Sequence, residues 1–220
     1  MGILVQESWE SNTFPVNGWS RWDNAPSTSS SVAQSGTYSL KCLPLESANY
    51  RFLPSGITKF YARLYVYLES LNDEEGIIIC VKDVDGAVQP RLSLRTDHKL
   101  QVKNLAGSFT DVSAGALTTG QQYKIELFYD ATTIAAVSAI VRLDNVVVSS
   151  RTWDTSGDTG NQTIERIIIG NDANGGDITT GVVYFDNIII RDDDWPDSVR
   201  DMANDPSTGG WKTGVKLYPQ

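Results

Sequence analysis

The sequence predicts an all-β fold, two antiparallel sheets packed face to face, on three observations. Apolar and polar residues alternate with period two in short runs, and Gly, Asp, Asn and Ser clusters break those runs roughly every ten residues. No segment before residue 190 carries a long apolar stripe of helical period. Period-two alternation gives each strand one greasy face, which a second sheet must cover. Without crossover helices the strands run antiparallel. With 220 residues, 40% hydrophobic, including 6 Trp, 9 Tyr and 6 Phe, the chain fills a sizeable core and is too apolar to stay disordered.

Taken in order, strands are expected at Ile3 to Trp9, Tyr38 to Leu43 and Asn49 to Leu53. The clearest is Phe60 to Leu68, where Phe60, Ala62, Leu64, Val66 and Leu68 share the core face and Tyr61, Arg63, Tyr65 and Tyr67 the other. Gly76 to Lys82, Arg91 to Arg95, Leu100 to Asn104 and Gln122 to Tyr129 follow, then Ala139 to Leu143, Val146 to Ser149, Glu165 to Ile169 and Val182 to Arg191. About a dozen antiparallel strands in residues 1–191 make one sandwich of jelly-roll type.

Turn chemistry separates the strands. Thr96-Asp97-His98-Lys99 reads as a hairpin tip and Asp144-Asn145 as another, and Val84-Asp85-Gly86 and the loop Asp172 to Asp177 supply the positive φ that tight turns need. Residues 192–220 form a short C-terminal tail, with Pro196 suited to a first helical turn. Trp195, Trp211 and Tyr218 are its candidate interface residues, packing either on their own sandwich or on a neighbouring subunit.

A formal charge of -9 argues against nucleic acid as a partner. The longest apolar run, Ile77 to Val81, is far too short to insert in a membrane. Cys42 and Cys80 read as buried, reduced thiols. Gln6 and Glu7 interrupt any secretory signal, so the chain is expected to be made and kept in cytosol, or to leave the cell by lysis. Asn161-Gln-Thr163 then carries no glycan.

Several motifs resemble those of concanavalin A-like and laminin-G-like jelly rolls. They are Glu7-Ser-Trp-Glu-Ser11, Gly18-Trp19, Gln34 to Lys41, Gly120 to Asp130, Val141 to Val148, Ile167 to Gly170 and Val183 to Ile190. The run Phe185-Asp-Asn-Ile-Ile-Ile-Arg-Asp-Asp-Asp-Trp195-Pro196 is similar to the junction that ends such domains in bacteriophage virion proteins. The resemblance implies a virion structural protein, capsid- or tail-associated. It also implies a structural Ca2+ tying the first strand to the last, with Glu10 and Asp186 as ligands by motif position and the Asp172 to Asp177 loop as a second candidate. Ordinary turn and strand-end carboxylates account for these residues equally well.

The residues offer little for catalysis by themselves. His98, the single histidine, sits at a hairpin tip. The acidic run Glu69 to Glu75 reads as a loop, not as carboxylates alternating along a strand, and the Gln-x-His element of the lyase members is absent. For binding, Tyr61, Arg63, Tyr65 and Tyr67, joined by Arg91 and Arg95 if those strands are neighbours, form an aromatic and basic floor suited to sugars. Trp19, Trp22 and Trp153 are loop tryptophans, either hydrophobic plugs or ligand contacts. The expectation is a non-enzymatic structural and adhesion protein of a phage virion, binding itself or other virion proteins, with cell-surface glycan contact. A free carbohydrate-binding module is the alternative, and a polysaccharide-active enzyme the third.

Overall fold

The structure, a computed structural model, describes residues 3–15, 17–22, 24–51, 57–71, 73–83, 88–103, 109–111, 116–154, 163–173 and 179–193. In chain order the strands are β1 (Ile3–Glu7), β2 (Trp19–Arg21), β3 (Ser27–Ser29), β4 (Ser39–Cys42) and β5 (Glu46–Arg51). Next come β6 (Lys59–Ser70), β7 (Gly76–Asp83), β8 (Val88–Leu94), β9 (Leu100–Lys103) and β10 (Phe109–Asp111). The series ends with β11 (Gln122–Asp130), β12 (Val137–Leu143), β13 (Val146–Trp153), β14 (Ile164–Ala173) and β15 (Val182–Arg191). Among the described residues the helical content is one short turn, Ile134–Ala136.

Two antiparallel sheets result. One has the order β13-β12-β11-β6-β15-β4-β3, with β1 also paired to β15; the other has the order β10-β9-β8-β7-β14-β5-β2. The all-β sandwich is therefore as the alternation predicts. No helix of the described chain is long and apolar enough to cross a membrane.

Alternation in β6 does what the sequence implies. Phe60, Ala62, Leu64, Val66 and Leu68 are all at most 1% exposed and join the core between the sheets. Phe60, Leu64, Val66 and Leu68 each contribute about 1.5–3 kcal/mol by leaving water, and Ala62 less. Ile167, Ile169, Leu92 and Leu94 meet them from the second sheet. At one end of the core Trp9 packs on Trp19, with ring centroids 5.6 Å apart, and Trp19 packs on Tyr50 at the same spacing. Glu7, itself buried, closes the turn that delivers Trp9, accepting the N–H groups of Ser8 and Trp9 and the amide of Asn17.

Turns fall where expected. Asp144 and Asn145 both take positive φ, the conformation of a two-residue hairpin, and His98 does so at the β8–β9 tip. Cys42 and Cys80 form no disulfide and are buried in opposite sheets, and burial pushes the Cys42 thiol well up. The Val84 to Gly86 turn, most of the Asp172 to Asp177 loop, Asn161 and the tail residues Trp195, Pro196, Trp211 and Tyr218 lie outside the described residues.

Gly170 sits beside a register shift in β14 and faces Ser47 of β5. A Cβ placed there comes within 2.6 Å of the Glu46 carbonyl oxygen and of Ser47 Cα. Because the obstacle is backbone, the two strands must part to admit it. Gly170→Ala is expected to lower stability by about 1–3 kcal/mol. A urea midpoint equal to the parent's would show that β5 yields freely.

Candidate polysaccharide site on the larger sheet

The outward side chains of β6 are set among those of its neighbours by strand register. Tyr67 lies between Tyr184 on β15 and Gln122 on β11, and Lys41 on β4 extends that row beyond Tyr184. In the next row Tyr65 stands between Asp186 and Lys124. Arg63 then faces Glu126, which in turn faces Arg142 on β12. Tyr61 lies between Arg191 and Phe128.

Side-chain contacts knit these rows together. The Tyr67 and Tyr184 rings meet edge to face at 6.0 Å, and Lys41 Nζ is 5.6 Å from the Tyr184 ring. The Arg63 guanidinium lies 5.5 Å from the Tyr65 ring. A shallow surface depression is lined by Tyr65, Tyr67, Tyr184, Gln122, Gln34 and Ser39, among others. Phenolic rings and amides around a hollow suit the C–H faces and hydroxyls of a sugar.

Two groups here have altered acidity. Tyr184 is pushed up to about 12, first by burial and then by the hydrogen bond its hydroxyl donates to Glu69 Oε2 at 2.5 Å. It is a neutral phenol at physiological pH. Lys124 is pushed below its ordinary value by burial, with the Glu126 carboxylate, 3.8 Å from Nζ, pulling the other way. Glu126 is 1% exposed and its oxygens have no hydrogen-bond partner among the described residues. It balances the local cations by charge alone.

Glu69, Gln122, Lys124, Glu126, Arg142 and Tyr184 were not among the sequence-derived candidates. The alternation of Gln122, Lys124 and Glu126 with buried Tyr123, Ile125 and Leu127 carries the signal for half of them. What it lacks is the pairing of β11 with β6. Glu69 corrects the reading of residues 69–75 as a loop, since Glu69 and Ser70 still belong to β6. The turn begins after them, where Asp73 accepts hydrogen bonds from Thr179 and Thr180.

Of the sequence-derived ligand residues, Tyr61, Arg63, Tyr65 and Tyr67 share this face. Arg91 and Arg95 do not. Strand β8 pairs with β7 and β9 in the other sheet, so the floor combining the two strands is corrected: the chain changes sheet between β6 and β7. Arg91 is buried on that second sheet, and Arg95 pairs with Asp97 at 3.1 Å. Trp19 opens β2 and is a core plug, and half-buried Trp153 ends β13 against the core. Trp22 lies on the second sheet beside Cys80 and Ile168, under Lys82 Nζ at 4.2 Å and Arg166 at 5.2 Å.

Glu10 and Asp186, the calcium candidates, meet on one loop. Glu10 accepts the N–H groups of Thr37 and Tyr38. Asp186 accepts those of Gln34, Ser35 and Asn187. Gly36 lies so close that a Cβ would be 2.4 Å from the Glu10 carboxylate. Asp186 is pushed up to about 7, mainly by burial and further by the Glu10 charge, against the pull of its three amide partners. Both carboxylates are already held by backbone N–H groups and no cluster of three or more metal-ligating side chains occurs among the described residues, so a hard cation there would draw most of its roughly six to eight oxygens from backbone carbonyls or water.

No protein-family model and no curated protein matches the chain. Solved structures do share its fold. The cellulose-induced protein Cip1 superposes with a TM-score of 0.60 at 17% identity, covering 84% of this chain and 96% of that one. The endo-β-1,4-glucuronan lyase of the fungus Trichoderma reesei gives a TM-score of 0.61 at 13% identity, covering 80% and 91%. A variant of the alginate lyase Aly36B, in complex with alginate trisaccharide, gives 0.59 at 13%, covering 86% and 97%. At these identities the likeness is one of fold: a β-sandwich shared with carbohydrate-active proteins.

The virion expectation is corrected by this finding. The run that suggested it, Phe185 to Pro196, contains the Asp186–Asn187 irregularity of β15, where Asp186 holds the Gln34–Ser35 loop. That irregularity serves to close the sandwich. The expectation of a chain without enzymatic activity is overturned as well, because polysaccharide lyases are among the proteins built on this fold. Its premise was too narrow, since proton transfer can be performed by lysine and tyrosine without histidine or paired carboxylates.

Proposed function

We propose that the outer face of β4, β15, β6 and β11 binds an acidic polysaccharide and cleaves it by β-elimination. The observation that carries this reading is the cross-strand pair Tyr65–Lys124, with Arg63 against the Tyr65 ring, beside the tyrosine-lined depression. A uronate carboxylate placed against Arg63 has its charge offset, which acidifies the neighbouring C5–H. Lys124, its proton loosened by burial, takes the C5 proton once it is unprotonated. The C5 electron pair forms the C4=C5 double bond, and the C4–O4 bond breaks. O4 leaves with its electron pair and takes a proton from the Tyr65 hydroxyl. Tyr67 and Gln122 hold the adjoining sugar, with buried Tyr184 packed behind Tyr67. The same reading places a structural cation at Glu10 and Asp186.

A second reading, binding without turnover, is favoured by one observation: Lys124 is already paired with Glu126 and both are buried. Incubation with alginate and with β-1,4-glucuronan separates the two. Elimination leaves a conjugated unsaturated end that absorbs in the ultraviolet. Lys124→Ala and Tyr65→Phe are expected to lower its rate of appearance by about 10²–10⁴-fold. Retention on either polymer without unsaturated product would select the binding reading. Neither retention nor product would overturn both.

A further inference from the structure

Away from the depression, along the same face, Tyr61 of β6 and Phe128 of β11 stand directly opposite each other. Their rings lie side by side, with centroids 4.7 Å and planes 33° apart, and both side chains are half-buried. Ile140 of β12, also half-buried, continues the strip. The core does not use these rings: Phe60 and Tyr129, their core-facing neighbours in sequence, are 0% and 1% exposed. Lys59 Nζ sits 5.5 Å from the Tyr61 ring and 5.6 Å from that of Phe128. Its side chain is 37% exposed, and its ion pair with Asp130 is long at 3.9 Å. A pair so exposed and so long is readily exchanged for another anion.

Tyr67, at the depression, and Tyr61 belong to one strand. Six residues at roughly 3.3 Å each separate them by about 20 Å, the length of about four pyranose units. Two rows lie between them, Asp186, Tyr65 and Lys124 and then Arg63, Glu126 and Arg142. Aromatic platforms thus stand at both ends of a stretch carrying three basic side chains, Lys124, Arg63 and Arg142, with Glu126 and Asp186 among them.

We infer that Tyr61, Phe128 and Lys59 form a distal subsite for an acidic polysaccharide whose other end occupies the tyrosine-lined depression. A pyranose ring lies with its C–H face on the paired aromatic rings, and Lys59 pairs with a carboxylate of that or the next sugar. The inference rests on the polysaccharide reading above and adds to it the direction and length of the bound chain.

The test is titration calorimetry on the full chain with alginate and β-1,4-glucuronan oligosaccharides, each as a hexasaccharide and as a disaccharide. Replacing both Tyr61→Leu and Phe128→Leu, which keeps apolar bulk and removes the rings, is expected to weaken hexasaccharide binding about tenfold. Disaccharide binding should be unchanged. Lys59→Met should weaken hexasaccharide binding at low salt and lose that effect at high salt. A cooperative thermal transition in each variant certifies the fold. Unaltered hexasaccharide binding in the ring variant overturns the subsite alone, as does an equal loss for the disaccharide. A parent chain that binds neither length overturns the polysaccharide reading and the subsite with it.

Discussion

Glu126→Ala is expected to destabilise the protein by about 3–5 kcal/mol, because it leaves buried positive charge without its counter-charge. Glu126 is 1% exposed, lies in register between Arg63 and Arg142, and has Lys124 Nζ 3.8 Å away. Its oxygens make no hydrogen bond among the described residues, so the carboxylate acts through its field. Removing the charge while keeping the shape, as in Glu126→Gln, should cost nearly as much. The double variant Glu126→Leu, Lys124→Met should recover most of the loss, since an apolar pair of similar volume avoids desolvating either ion. Urea unfolding of the parent, the singles and the double closes the cycle. A single-variant loss below about 1 kcal/mol would mean that water screens the cluster. Burial would then not loosen the Lys124 proton either. With Glu126 gone Lys124 loses the attraction that opposes burial, so its pKa should drop further and any turnover should extend to lower pH.

What was legible in the sequence follows from how each element is stabilised. β6 was clear because its five inward residues fill the core and repeat with period two. β2, β3 and β10 were missed; each has three residues and lies at the edge of its sheet, where little burial is required and no alternation develops. The face of the site was half legible for a different reason. Tyr61, Arg63, Tyr65 and Tyr67 follow from alternation within one strand, a local property. Lys124 and Tyr184 reach the same face through the pairing of β6 with β11 and β15, and that pairing is set by non-local packing. The β8 strand shows the converse. Its alternation is as good as that of β6, yet β7 carries the chain into the other sheet before β8 forms, taking Arg91 away from the tyrosines. Alternation predicts a first strand that reaches Trp9, but the strand ends at Glu7, whose carboxylate holds a turn that swings the indole into the core.

In the presence of a chelator, stability should fall as pH rises from about 4 to about 7, and the group responsible is Asp186. Its ordinary pKa of 3.8 is raised to about 7 in the folded protein by burial and then by the charge of Glu10. The groups facing it are the amides of Gln34, Ser35 and Asn187, the cross-strand Tyr65, and Glu10 beyond the loop. Between those two pH values the folded chain holds a proton that the unfolded chain has released, so raising the pH favours unfolding. The stabilisation is fully present below the ordinary value and is lost as pH passes through about 7. The gap between 3.8 and about 7 corresponds to an upper limit on the order of 4 kcal/mol. Asp73, held below its ordinary value by hydrogen bonds from Thr179 and Thr180, acts in the opposite sense and only in more acid solution, leaving the window clear. Asp186→Asn should flatten the curve between those limits, because the amide keeps an oxygen for the loop and carries no charge. Calcium should act where the carboxylate is ionised, raising stability near pH 8 by about 2.7 kcal/mol at a hundredfold excess over Kd, and by much less at pH 4. That increment should vanish in Asp186→Asn and in Glu10→Gln. A parent curve already flat from pH 4 to 7 would mean that Asp186 is solvated or permanently neutralised, and the loop from Gln34 to Tyr38 would then be held by its amide hydrogen bonds alone.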